Sequence, residues 1–346
     1  MNMNLEESLS FDDVLLVPQK TSIRSRSELN TKVKFLGLDL ETPIISANMS
    51  SVTGPDMLRV MQSNGLGILH RMNTIKDIET IDGLTMLNSG ISFGIGEDWI
   101  DRVEQAKRLS VKVCCLDVAH AHSDRVGEVI KAYWEICKIP LIVGNIATPR
   151  ALEFISICTP KQYHNKLAVK VGIGGGSLCT TRIQTGFGVP TLQSVYDVSY
   201  WRNVKYPEIQ IVADGGIKNS GDIVKSIAAG ADVVMIGSLL AGTDQAPGEV
   251  ILSNSGSKYK IYRGSASFGD KQKRGEQTRN IEGTESLVPY KGDAVKVIKS
   301  LKDGILSGLS YSGYNSLREL RDADKRTLFT QITNSGYRES LPHGVL

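Results

Sequence analysis

Residues 209–238 read IQIVADGGIKNSGDIVKSIAAGADVVMIGS. An apolar run closes on aspartate and two glycines, a stretch of helical spacing (SGDIVKSIAAG, 220–230) follows, and a second apolar run (DVVMIGS, 232–238) closes on glycine and serine. Neither run alternates apolar with polar residues, so both faces of each strand are expected to be covered, as in a parallel sheet wrapped by helices. The same pattern extends upstream through PIISANM (43–49), LGILH (66–70), GISFGIG (90–96), VKVCCLDV (111–118), IPLIVGN (139–145) and LAVKVGIG (167–174). Amphipathic stretches such as DWIDRVEQAKRLS (98–110) and DRVGEVIKAYWEIC (124–137) lie between them. Eight such units predict an α/β fold, a (β/α)8 TIM barrel, with a doubly wound sheet as the alternative. Polar groups gathered at the C-terminal ends of the runs favour the barrel: Asn48, His70, Asp117, Asn145, the GIGGG loop and Asp214.

The rest of the chain fits one barrel domain spanning 1–346, with no regulatory domain inserted between the second helix and the third strand. Residues 1–38 precede the first strand and are expected to close the bottom of the barrel or pack on its side. Residues 264–292 are polar, glycine-rich and largely without period, which leaves a mobile active-site flap or a disordered loop. DAVKVIKSLKDGILSGL and YNSLRELRDA would complete the helical ring.

With 40 Lys and Arg against 37 Asp and Glu, the net charge of +3 gives no reason to expect nucleic acid or an anionic membrane as a partner. No apolar run reaches the length of a membrane span. Five cysteines without ligand-like spacing, and no secretory leader, point to a reducing cytoplasm. Cys114 and Cys115, inside VKVCCLDV, read as buried filler.

Cys179 differs. It follows the glycine loop in VGIGGGSLCTTR (171–182), where backbone can approach a ligand closely. A thiolate there can add to an electron-poor purine carbon and divide a difficult displacement into easier steps; the alternative is an inert small residue. Thr181 is placed to relay a proton but is too weak an acid to act alone, and Glu282 in the flap is the stronger group that could complete it, or else faces solvent. The amides of GIGGGS with the Ser177 hydroxyl, and the ADGG and MIGS turns with Ser238, suit a phosphate dianion. An ionised Asp214 accepts only, which suits two ribose hydroxyls. The glycines come too late in the chain, and in the wrong context, for a dinucleotide-binding fingerprint.

At this point the sequence resembles the IMP dehydrogenase / GMP reductase family. The resemblance is carried by VGIGGGSLCTTR, TGFG (185–188), ADGG (213–216), MIGSLLAGT (235–243) and YKGD (290–293), and runs from SFDDVLLVP (10–18) and SANM (46–49) to residue 313. It implies Cys179 as nucleophile; Ser177, Gly216, Gly237, Ser238 and Tyr262 around phosphate; and Asp214 on ribose. It also implies a nicotinamide near Asp117, Ala119, His120 and Asn145, a potassium ion on carbonyls of Gly174, Gly176 and Cys179, and a homotetramer. Gly175 stands where the family usually has proline.

Two directions remain. A reductase converts GMP with NADPH to IMP and ammonia; a dehydrogenase oxidises IMP with NAD to XMP. Dehydrogenases typically carry a longer flap with an adjacent Arg-Tyr pair, which is missing from 264–292. Arg279, Glu282 and Gly283 resemble the reductase arrangement of an arginine three residues before an EG pair, as do DVAHAHS (117–123) and ILHR (68–71). FDDVLLVP, LAGTDQAPGE, YRG and VPYKG read more like dehydrogenases. The balance favours NADPH-dependent GMP reductase. A flavin-dependent barrel oxidoreductase and a non-enzymatic binding protein on the same barrel are the rival classes.

Overall fold

A computed structural model of the chain describes residues 7–71, 73, 88–264 and 284–342. Eight parallel strands close into a barrel, and all eight fall on the apolar runs: β1 (Ile44–Ser46), β2 (Leu66–Leu69), β3 (Ser89–Phe93), β4 (Val113–Asp117), β5 (Leu141–Ile146), β6 (Leu167–Val171), β7 (Gln210–Asp214) and β8 (Val233–Ile236). Closure is made by β8 against β1, with Val234 opposite Ile44 and Ile236 opposite Ser46. Every residue of β2, β3, β6 and β8 is buried, because helices cover the outer face while side chains fill the interior. That double coverage is why the runs are continuously apolar.

The helices follow from their stripes and caps. In Asp124–Ile136 the buried residues Val126, Val129, Ile130, Tyr133 and Trp134 recur at helical spacing and face the sheet. Ser220–Ala229 begins where the Asn219 side chain accepts the Asp222 amide, and ends at Gly230, whose φ of 115° suits glycine. Removing one buried side chain of this shell, such as Ile130 or Leu152, would cost about 2–5 kcal/mol through lost burial and the cavity left behind.

The N-terminal segment does both things expected of it. Val33–Phe35 and Leu38–Leu40 form an antiparallel hairpin under the barrel, with Phe35 fully buried. The hairpin is tied to the start of β7: the Leu36 amide donates to Gln210 Oε1 at 2.6 Å, and Gln210 Nε2 to the Lys34 carbonyl at 3.1 Å. Val14–Leu16 instead packs outside the barrel, antiparallel to Phe329–Gln331.

One expectation needs correcting. The aperiodic stretch 264–292 is not all loop: Glu285–Pro289 is a strand, antiparallel to Lys258–Arg263, with Tyr262 opposite Ser286 and Arg263 opposite Glu285. Its side chains are mostly exposed, so backbone pairing with a distant partner holds it and no apolar period announces it.

Candidate active site

The C-terminal ends of the strands surround a cavity of about 240 Å³. Cys179, Thr181, Ser177, Asp214, Gly216, Gly237, Ser238 and Tyr262 all line it, as do Asp117, Ala119, Asn145, Gly174 and Gly176. His120 is exposed beside the rim rather than lining the cavity, its ring 6.2 Å from that of His122. Arg279, Glu282 and Gly283 lie outside the described residues.

The loop after β6 carries the nucleophile candidate, Cys179. Cys179 is half-buried, its thiol donating to Thr181 Oγ1 at 3.2 Å, and its amide turns back onto the Gly176 carbonyl at 3.0 Å. The other four cysteines are buried and free, and burial pushes the Cys115 thiol up to about 12, as suits a filler. Arg182 closes the loop: its Nε and Nη2 donate to the Ile173 carbonyl at 3.2 and 3.1 Å, and Nη2 also to the Val189 carbonyl at 2.6 Å. Room for its stem comes from Gly174 (φ 79°) and Gly188 (φ 156°), where an added Cβ would lie within 2.5 and 2.6 Å of it. The nucleophile candidate therefore sits on a braced loop.

At one end of the cavity the turns after β6, β7 and β8 present backbone beside the Ser177 and Ser238 hydroxyls. Tyr262 reaches in from the Lys258–Arg263 strand; burial pushes its phenol up to about 12, against the opposing effect of a hydrogen bond with Ser177. A Cβ on Gly237 would fall 2.7 Å from the Tyr262 oxygen, so bare backbone is needed there. This end can receive an anion without a salt bridge.

At the other end lies a charged cluster whose central lysine sequence reasoning missed. Lys170, 3% exposed, donates to Asp214 Oδ2 at 2.8 Å and to Asn145 Oδ1, and lies 3.1 Å from Asp117 Oδ1. Asn145 Nδ2 donates to Asp214 Oδ2 at 2.9 Å and to the Gly172 carbonyl at 2.6 Å, from a register shift in β5 that re-aims its side chain. Its peptide bond with Gly144 is cis. Burial alone would raise the Asp117 carboxyl, but the Lys170 and Arg71 charges hold it below its ordinary value. Burial likewise disfavours the Lys170 ammonium, and the Asp214 and Asp117 carboxylates overcome it, raising its pKa. A lone lysine inside the run LAVKV was the available signal, since a buried ammonium in a parallel strand requires partners.

The residues joining Lys258–Arg263 and Glu285–Pro289 to the rim touch the cysteine loop. Thr284 donates its amide to the Leu178 carbonyl at 3.1 Å, and the Gly264 amide donates to the Thr284 carbonyl at 3.0 Å. The arrangement thus unites a thiol with a hydroxyl neighbour, an anion cradle, and carboxylates able to accept hydroxyls or an amide.

Comparison with known proteins gives one consistent answer. Residues 8–343 match the IMP dehydrogenase / GMP reductase domain. An inosine-5'-monophosphate dehydrogenase of Borreliella burgdorferi is 34% identical, covering 99% of this chain and 98% of that protein. A GMP reductase of Ligilactobacillus salivarius is 37% identical over 94% of this chain and 97% of its own length. Among solved structures, a GMP reductase from Trypanosoma brucei in complex with guanosine 5'-monophosphate superposes with a TM-score of 0.87 at 25% identity, covering 99% of both chains. With the barrel and nearly the full length in agreement, the chain belongs to the IMP dehydrogenase / GMP reductase family, oxidoreductases that act on purine nucleotides with a nicotinamide cofactor.

Proposed function

We propose that the chain is a GMP reductase, converting GMP with NADPH to IMP and ammonia through a purine bonded to Cys179. The observation that carries the direction is the flap junction. Thr284 is hydrogen-bonded to Leu178, next to Cys179, and Glu282 stands two residues before Thr284 in the sequence. An acid delivered there, with Arg279 three residues before it and no Arg-Tyr pair in 264–292 to activate water, suits protonation of departing ammonia better than hydrolysis.

In this reading the phosphate lies in the cradle of Ser177, Gly216, Gly237, Ser238 and Tyr262, the ribose hydroxyls meet Asp214, and the base stands beside Cys179. The Cys179 thiol adds to purine C2 as the double bond from C2 to ring nitrogen opens, and the thiol proton passes to that nitrogen. The bond from C2 to the amino nitrogen then breaks, its electron pair leaving with nitrogen while Glu282, through Thr181, supplies the proton. Sulfur leaves as thiolate once C2 has been reduced, restoring the aromatic base. Asp117, Ala119 and Asn145 at the cavity wall fit a nicotinamide, a small side chain leaving room for the ring and polar groups serving its carboxamide, with His120 on the exposed rim. NADPH bound there would supply the hydride. Neutral carbonyls of Gly174, Gly176 and Cys179 are donors suited to potassium; the Gly176 oxygen, which accepts the Cys179 amide, keeps a second lone pair.

The same proposal includes a cytoplasmic homotetramer, the state to be checked by light scattering; among the described residues no helix is long and apolar enough to cross a membrane. The second reading, NAD-dependent oxidation of IMP to XMP, is favoured by the Borreliella relative and its nearly full coverage. GMP labelled with nitrogen-15 on its exocyclic amine decides the direction: labelled ammonium released in step with NADPH consumption is expected, and NADPH consumption without it would overturn the proposal.

A further inference from the structure

Lys170 places a cation where an apolar side chain would be expected. Its stem crosses Gly144 of β5, where a Cβ would lie 2.5 Å from the Lys170 Cβ, so glycine is required beside it. The ammonium has three protons and faces acceptors on three strands: Asp117 of β4, Asn145 of β5 and Asp214 of β7. Arg71 beyond β2 adds a second positive charge that acts on Asp117, and the Cys115 thiol of β4 stays protonated. Two cations and two carboxylates balance, and the three protons of Lys170 are matched by its acceptors.

We propose that Lys170 is a positioning residue that fixes Asp214 for recognition of the nucleotide ribose. Asp214 Oδ2 is committed to Lys170 and Asn145, which presents Oδ1 to the ribose hydroxyls. The same ammonium holds Asp117, so both carboxylates of the cluster are oriented by one group. With an apolar residue in its place the carboxylates of Asp117 and Asp214 lose the charge between them. Asp214 then loses one of the two donors that fix its Oδ2, and a carboxylate free to turn is a poorer acceptor for ribose.

The proposal rests on Asp214 as the ribose acceptor, and the test separates the two. Calorimetric binding of IMP is compared with that of 2',3'-dideoxy-IMP, which lacks both hydroxyls; IMP belongs to either reaction direction, so the outcome does not depend on it. The wild type should prefer IMP by about tenfold or more, as loss of hydrogen bonds to a carboxylate implies. In Lys170→Met the preference should fall to within about threefold. In Lys170→Ala, methylammonium should restore part of the preference and sodium should not. A wild type indifferent to the hydroxyls would refute the role of Asp214. A preference kept intact in a folded Lys170→Met refutes the role of Lys170 alone. Loss of folding in both variants, or no recovery with the amine, makes Lys170 merely structural and overturns the proposal.

Discussion

Gly172 is the point where fold and site depend on one another most directly. It follows β6 with φ 143°, a region that side chains rarely adopt, and a Cβ there would lie 1.9 Å from the backbone oxygen of Asp214. Its amide donates to the Ile146 carbonyl at 2.9 Å, and its own carbonyl accepts from Asn145 at 2.6 Å. Gly172→Ala therefore adds backbone strain of about 1–3 kcal/mol and overpacking against backbone of a similar size, about 2–6 kcal/mol together. Unfolding entropy of about 2.1 cal/mol/K per residue gives about 0.7 kcal/mol/K for 346 residues, so the melting temperature should fall by about 3–8 °C. Differential scanning calorimetry reads this directly. Turnover should suffer more than stability, by about a hundredfold, because relief of the clash moves Asp214 and Asn145 by a sizeable fraction of an ångström. A variant that melts within about 1 °C of the wild type and keeps its activity would refute the reasoning.

Other expectations follow from the same geometry. Tyr262→Phe removes a buried hydroxyl at the anion cradle and should raise the nucleotide KM about tenfold with kcat little changed; since the phenol is pushed up to about 12, the wild type should show no ionisation of this group in rate profiles below that pH. Arg182→Met unclamps the Cys179 loop from Ile173 and Val189, and should slow turnover about tenfold or more while altering the rate at which iodoacetamide alkylates Cys179. For pH stability, the Asp117 pKa is lowered on folding, so its contribution is present above the unfolded value of about 3.9 and lost as pH falls through the folded one. The Lys170 pKa is raised, so its contribution is present below about 10.4 and lost as pH rises through the folded value. Melting temperatures measured across pH should therefore show no loss from this cluster between about 4 and 10.

The barrel was legible because burial on both faces writes each strand as a continuous apolar run, and the run ends gave the rim. Those ends were also overextended: GIG at 94–96 and the GIG of 172–174 lie beyond β3 and β6, because rim glycines continue the run in composition but not in pairing. Cys179, Thr181 and Ser177 stood out as candidates because a glycine loop followed by polar residues is unusual after a strand, and the fold brings all three to one cavity with Asp214. Lys170 escaped because its partners Asp117, Asn145 and Asp214 are 53, 25 and 44 residues away, joined by closure of the barrel rather than by any local pattern. Arg182 lay in plain view, yet its role as a clamp depends on carbonyls that no sequence pattern marks. The strand Glu285–Pro289 was hidden for a different reason, being exposed on most of its length.

The most direct measurement follows the near-ultraviolet absorbance of reduced nicotinamide in two parallel reactions of the purified protein with potassium present, one holding GMP and NADPH, the other IMP and NAD. The account predicts a fall in the first, matched mole for mole by ammonia, and its loss in Cys179→Ala. A rise in the second with no change in the first would contradict it and make the chain an IMP dehydrogenase.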